Sequence, residues 1–496
     1  MARVLLVEDD PDQRELRELI LSRAGHEVIA ANGAQQALAG LAQRPEVAVM
    51  DLSLPHPEDG RALLRELAGR SPAMRVAVLT GRCEALRGQP EESLAAALLE
   101  KPCPTKRLLE TIARLAARLA LCVALSLALA AAREFTFNAE GRGETVAELD
   151  LRSPASDWSV KGREAAVARV SLDGAEPFHV WVLGERRGAI GVFLGKLAPG
   201  KHRVTVERDE RFSASGSNFE VRGAKFHEDA SPMVAHAPVL FAREDTLGLF
   251  SDVPLLVYAE RVPNGWQYTV VFSHEDGGTS TRGLMAVWGR TTDIEYVYRV
   301  DDAGAGIIQG PGHKDVAFDG ARMGEHPLLI PVTKNNMVAA GKSALRLQLT
   351  PVELPELSSH SREISMDKHP WTWTVAAKEL VREDRAKEIG DPRNYLYVEG
   401  KLALDRARAV FRARLITEAG WRVSHRNDAR MAIARSGWVR STVELPPNTG
   451  PRQIAEFGIE CIKEVEAGSC TLEQLSPAFF LTPDYFPGRP FKLPVK

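Results

Sequence analysis

The first hundred residues alternate short continuous apolar runs with longer amphipathic ones. Arg3–Val7, RVLLV, is followed by the acidic triplet Glu8-Asp9-Asp10. Such an unbroken run is the mark of a strand buried on both faces. Asp12–Ala24 has helical spacing, with Leu16, Leu19, Ile20 and Leu21 on or near one face. The same alternation continues: strand His26–Ala30, helix Ala34–Leu41, strand Val47–Met50, helix Arg61–Leu67, strand Met74–Leu79, strand Leu94–Leu99 and helix Thr105–Leu115. Five successive strand–helix units predict an α/β domain over residues 1–117, a doubly wound parallel sheet with helices on both faces.

The pattern then changes. Leu119–Ala132 is apolar or small throughout apart from Ser126 and Cys122, carries no charge, and follows Arg107, Arg114 and Arg118; Arg133 comes next. Three readings of segment 118–132 stay open. The basic flank suits a membrane-spanning helix with the first domain inside. Fourteen residues reach only ~21 Å, short of a ~30 Å hydrocarbon core. The basic, apolar and small-residue order also has the shape of a signal peptide, out of place after a folded domain. The third reading is an Ala/Leu-rich helix buried between domains.

Beyond it the period shortens to that of strands. Runs at Glu134–Phe137, Ala147–Leu151, Ala166–Leu172, His179–Leu183 and His202–Glu207, with a turn at Leu197–Gly200, predict an immunoglobulin-like β-sandwich over 133–225. Residues 226–496 predict a larger β-rich domain, with strands at Leu255–Ala259, Gln267–Phe272, Ile294–Val300, Leu345–Leu349, Tyr395–Glu399 and Ala409–Leu415. Trp266, Trp288, Trp371, Trp373 and Trp421 read as core anchors before carbohydrate platforms.

Composition adds exclusions. The 496 residues carry a net charge of −3, so no global basic field points to nucleic acid, and no basic recognition helix follows the first domain. Five cysteines are too few for a disulfide scaffold. Only Cys461 and Cys470 are spaced for a bridge, if that region is exported; otherwise they are two thiols.

The first domain's polar residues fall at the C-terminal ends of its strands, where open α/β sheets bind ligands. Glu8 and Asp9 end the first, Asp51 the third, Thr80 the fourth and Lys101 the fifth. Carboxylates gathered at one edge repel unless they share a hard cation, and oxygen ligands suit Mg²⁺. Such a cation, with Lys101, would offset the charge of an arriving phosphoryl group, and Asp51 could attack phosphorus in line.

The segments VLLVEDD, MDLSLP, VLTG and EKPCP, in this order and spacing, resemble the receiver domain of two-component response regulators. The resemblance covers about residues 1–117 and implies a flavodoxin-like fold. It makes Asp51 the phosphoacceptor, Asp9 a direct Mg²⁺ ligand, Glu8 a ligand through metal-bound water, and the Ser53 backbone carbonyl a further ligand. Thr80 matches the switch hydroxyl, Lys101 the phosphoryl-pairing residue, and Pro102 the residue of the family's cis peptide. The implied partner is a sensor histidine kinase or phosphotransfer protein, and the only implied catalysis is the domain's own phosphorylation and dephosphorylation. Leu98 departs from the pattern, standing where the family usually has an aromatic residue, and the loop after Asp51 has an extra proline.

The C-terminal region carries no Gly-x-Ser-x-Gly, His-Glu-x-x-His or phosphate-loop motif. His274, Asp293, Glu295 and His313 could assemble a metal or acid–base site, or could be solvated loops. The leading expectation is therefore a phosphorelay protein: a cytoplasmic receiver joined to a membrane-anchored, periplasmic or extracellular β-rich region. The competing one is an envelope or secreted hydrolase or carbohydrate-binding protein carrying a degenerate receiver.

Overall fold

A computed structural model describes residues 2–71, 74–116, 132–186, 188–275, 277–383, 386–425 and 428–495. The chain divides into two compact units, Met1–Leu129 and Ala130–Lys496. The apolar stretch falls outside the described residues up to 131. Among the described residues no helix is long and apolar enough to cross a membrane.

In the first unit, strands β1 (Arg3–Val7), β2 (Glu27–Ala31), β3 (Val47–Asp51), β4 (Arg75–Thr80) and β5 (Ala97–Glu100) form one sheet in the order β2-β1-β3-β4-β5. Every pairing is parallel. Alternation along each strand explains the continuous apolar runs. Leu5, Val7, Ala48, Met50, Val76 and Val78 face one layer, which includes Ala37 of α2 (Ala34–Gly40) and Leu63, Leu64 and Leu67 of α3 (Pro57–Arg70). Val4, Leu6, Val47, Val49, Ala77 and Leu79 face the other, built from Leu21 and from Leu108, Ile112 and Leu115 of helical residues 105–116.

Two expectations for this unit need correction. Helix Pro11–Arg23 buries Arg17 and Leu21, while Leu16 and Leu19 are 53% and 47% exposed. The connection between β4 and β5 contains 3₁₀ turns at Cys83–Ala85 and Pro90–Leu94 rather than an α-helix. Pro90 and Gly88, at φ 73°, break the chain there. Arg61 Nη1 ties this connection to α3 by donating to the Ala85 carbonyl at 2.9 Å.

The second unit is mostly β, in several sheets. Ile190–Lys196, Glu144–Arg152 and Glu220–Asp229 make a three-stranded sheet. A nine-stranded sheet contains Phe178–Leu183, Ala165–Leu172, Gly200–Arg208 and Arg133–Ala139, and continues through Arg346–Leu347, Val239–Phe241 and His326–Pro331. Strand Glu220–Asp229 runs through the expected boundary between 225 and 226, and one core cluster extends from Val146 to Val375. The immunoglobulin arrangement also differs. There the first two strands share a sheet, whereas Arg133–Ala139 and Glu144–Arg152 lie in different sheets here.

A six-stranded sheet centres on Pro254–Val262, Gly265–Phe272 and Asp293–Asp301, and two three-stranded sheets centre on Tyr395–Asp405 and Ala407–Leu415. Helix Trp371–Arg382 is buried along much of its length, with Trp371 and Trp373 8% and 3% exposed; Trp266, Trp288 and Trp421 are half-buried.

Cys461 and Cys470 form a disulfide with Cα atoms 5.6 Å apart and a sequence separation of 9. Closing so short a loop restricts the unfolded chain by roughly 2–3 kcal/mol. Replacing both cysteines with serine is expected to lower the urea-unfolding free energy of the C-terminal unit by that amount; an unchanged midpoint and slope would show that the bridge contributes nothing.

Candidate functional site

The strand order reverses between β1 and β3, and the residues leaving these strands meet at that crevice. Glu8 and Asp51 are 2% and 9% exposed, while Asp9 is exposed. One carboxylate oxygen from each lies within 4.8 Å of the others, the only such group among the described residues. Asp10 is occupied differently: its Oδ1 accepts from the Asp12 and Gln13 amides at 3.0 Å, capping the first helix.

Lys101 supplies the opposing charge from the far side of the sheet. Its Nζ lies 2.6 Å from Asp51 Oδ2 and 3.1 Å from Glu8 Oε2. Its own amide is anchored on the Thr80 carbonyl at 2.9 Å, and the Lys101–Pro102 peptide is cis. Thr80 is fully buried at the end of β4, with Oγ1 accepting from the Arg82 amide at 3.1 Å. The Ser53 amide donates to Asp51 Oδ1 at 3.1 Å, which draws the turn after β3 against the carboxylate. Hard oxygen donors converging in this way fit Mg²⁺.

Arg17 completes the pocket and is absent from the sequence reading. It is 9% exposed, its Nη1 donates to Glu8 Oε2, and its Nη2 donates to Gln13 Oε1 at 2.9 Å. The one signal was its i,i+4 spacing from Leu21. Glu8 therefore answers to two cations, Arg17 and Lys101.

In the second unit, His274 is buried, with Nδ1 2.7 Å from the Glu275 carbonyl oxygen. Asp293 and Glu295 occupy alternate positions on one strand, opposite Phe272 and Val270. His313 is exposed, and its Nδ1 lies 2.9 Å from Gln309 Nε2. Glu275, which the sequence reading did not single out, is 8% exposed, and its Oε1 accepts from the Thr279 amide at 2.7 Å.

The fold and pocket of the first unit define a doubly wound α/β domain that presents an acidic, lysine-paired carboxylate at its switch point. The pattern of the response regulator receiver domain matches residues 4–113, and the N-terminal quarter of this chain is such a receiver domain. The transcriptional regulatory protein AruR of Pseudomonas aeruginosa is 42% identical over 86 residues, covering 16% of this chain and 34% of AruR. The virulence transcriptional regulatory protein PhoP of Salmonella typhimurium is 40% identical over 83 residues, covering 16% of this chain and 37% of PhoP. The sensory/regulatory protein RpfC of Xanthomonas campestris is 34% identical over 121 residues, covering 23% of this chain and 16% of RpfC. The chain thus spans little more than a third of these relatives' lengths, or less.

Removing Arg17 leaves Glu8 buried with one cation fewer, and breaking a buried pair from one side costs about 3 kcal/mol. Arg17→Met is expected to lower the stability of the first unit by that amount, and adding Glu8→Gln to recover part of it in a double-mutant cycle. Additive losses in chemical denaturation would show that Arg17 and Glu8 are not coupled.

Proposed function

We propose that this chain accepts a phosphoryl group on Asp51 from a sensor histidine kinase or phosphotransfer protein. The observation that carries the proposal is the placement of Lys101 Nζ at 2.6 Å from Asp51 Oδ2, beside the oxygens of Glu8 and Asp9. Asp9, Asp51 and the Ser53 carbonyl would ligate Mg²⁺ directly, and Glu8 would act through metal-bound water. The ion supplies positive charge that screens phosphoryl oxygens from the carboxylates.

This chain's own groups do the rest. An Asp51 oxygen attacks phosphorus in line, forming the acyl phosphate as the donor's bond to phosphorus breaks. Lys101 exchanges its contact with Asp51 for one with a phosphoryl oxygen, and the Thr80 hydroxyl donates to another. Incubation with acetyl phosphate and Mg²⁺ is expected to give an acid-stable, base-labile phosphoprotein. Asp51→Asn is expected to abolish the label, and Lys101→Met to reduce its yield at least roughly ten-fold, the loss of one charge-assisted contact. No label on the intact chain, or a label surviving Asp51→Asn, would overturn the proposal.

We also infer that the C-terminal unit matures in an oxidising compartment, while the receiver with its free Cys83 and Cys103 remains cytoplasmic. The Cys461–Cys470 bridge supports this reading. Thiol alkylation of the native protein, fractionated and probed at both ends, tests it. Cys461 and Cys470 are expected to resist alkylation until reduced; alkylation of both without reductant would contradict it.

A further inference from the structure

Within the C-terminal unit the chain crosses from one sheet to another beside a cleft. Leu349 bridges to Val192 at the edge of the three-stranded sheet, and Val352 pairs with Tyr258 in the six-stranded one. The crossing encloses a cleft of about 300 Å³ against residues 255–257. Among the described residues lining it, Arg186 and Glu148 carry charge, one of each sign.

Neither charge is paired. Arg186 is half-buried, and its guanidinium lies over the Trp371 ring, 5.0 Å from the centroid. It makes no hydrogen bond or ion pair among the described residues. The ring covers one face of the guanidinium and leaves its N–H edge to meet an acceptor. A guanidinium held flat in this way is shaped for a planar carboxylate. Glu148 is also half-buried and makes no ion pair among the described residues, although Lys225 stands opposite it on the neighbouring strand. Arg186 and Glu148 sense each other's charge without touching.

A second observation marks the acidic end. Gly191, opposite Glu148 in the sheet, leaves a space that a side chain would fill. A Cβ there would sit 3.3 Å from Glu148 Oε1 and 3.5 Å from Thr350 Oγ1, so the two oxygens overlook one point. Thr350 Oγ1 is shielded from solvent and has no hydrogen-bond partner. His369 adds no second cation to the cleft. Its Nδ1 donates to the Ser365 carbonyl at 2.9 Å, and burial lowers its proton affinity despite that contact, with Arg186 acting the same way.

The unanswered groups are thus a cation at one end and a carboxylate with a hydroxyl at the other. A simple anion would meet Arg186 and be repelled by Glu148, and a simple amine would do the reverse. A metal ion would find a single carboxylate. We propose that this cleft binds a free aliphatic α-amino acid, its carboxylate on Arg186 and its ammonium on Glu148 and Thr350. Such a zwitterion answers both charges and adds no net charge to a half-buried site. Leu349, Pro351 and Val352, with residues 255–257, receive the alkyl side chain.

Calorimetric titration of the full chain near neutral pH, where both ends of an amino acid are charged, tests the proposal. The probes are L-leucine, isocaproate, which lacks its ammonium, isoamylamine, which lacks its carboxylate, and inorganic phosphate. Leucine is expected to bind saturably and each of the others at least roughly ten-fold more weakly, the loss of one charge-assisted contact. Arg186→Gln and Glu148→Gln are each expected to weaken leucine by a similar factor. Glu148→Gln is also expected to tighten isocaproate, because the repelling charge is gone. A Glu148 that only held the cleft in shape would weaken isocaproate instead, and that result would overturn the assignment. So would the absence of saturable leucine binding, or binding that survives either substitution. Tighter binding of isocaproate or phosphate than of leucine would replace the proposal with an anion site, and tighter binding of isoamylamine with an amine site.

Discussion

The receiver depends on one charge balance: the Lys101 ammonium held between Asp51 and Glu8 at 2.6 and 3.1 Å. Three carboxylates at the end of a sheet repel one another, and that repulsion would open the crevice between β1 and β3 without a cation. Lys101 can reach them only because β5 lies beyond β4 in the strand order and its backbone is tied to the Thr80 carbonyl. The turn after Asp51 is held as tightly. Gly60 of α3 approaches the Leu52 carbonyl so closely that a Cβ there would sit 1.9 Å from the oxygen, so no side chain fits. The helix–strand packing and the acidic pocket are therefore one construction.

The two carboxylate groupings differ in how their charge is answered. Glu8 and Asp51 have Arg17 and Lys101 within contact. Glu275 and Asp293, buried in the C-terminal unit, are answered by neutral donors instead: the Thr279 amide at 2.7 Å and Asn336 Nδ2 at 3.0 Å. Elsewhere in that unit buried carboxylates are matched: Glu363 by Arg290, Asp252 by Arg243, and Glu399 by Ser361 and Arg440.

The receiver was largely legible in the sequence because its strands are buried on both faces and so read as unbroken apolar runs. Its chemistry sits at strand ends, where position along the chain determines position in space. Arg17 was not legible, since a long charged residue on a helix normally faces water, and only the proximity of Glu8 draws it inward. The 3₁₀ connection before β5 was hidden for a related reason: the expectation of a fifth helix overrode the local signals of Gly88 and Pro90. In the C-terminal unit the predicted strands fall on observed ones, but Ile190–Lys196, Glu220–Asp229, Gly437–Glu444 and Ile454–Lys463 were among those missed, and no strand's partner was legible. Nothing local pairs Phe178–Leu183 with Arg346–Leu347, or shows that Glu220–Asp229 crosses the expected domain boundary. Helix Trp371–Arg382 was passed over, since only Trp371 and Trp373 were taken from it, as core anchors.

The account's central claim is that Asp51 is the residue at which phosphorus is received. Borohydride reduction of the phosphorylated full chain, followed by peptide mapping, tests this most directly, because it converts an aspartyl phosphate to homoserine. Homoserine at position 51 alone is the predicted result. Homoserine at any other aspartate, or a phosphorylated chain with residue 51 still aspartate, would contradict it.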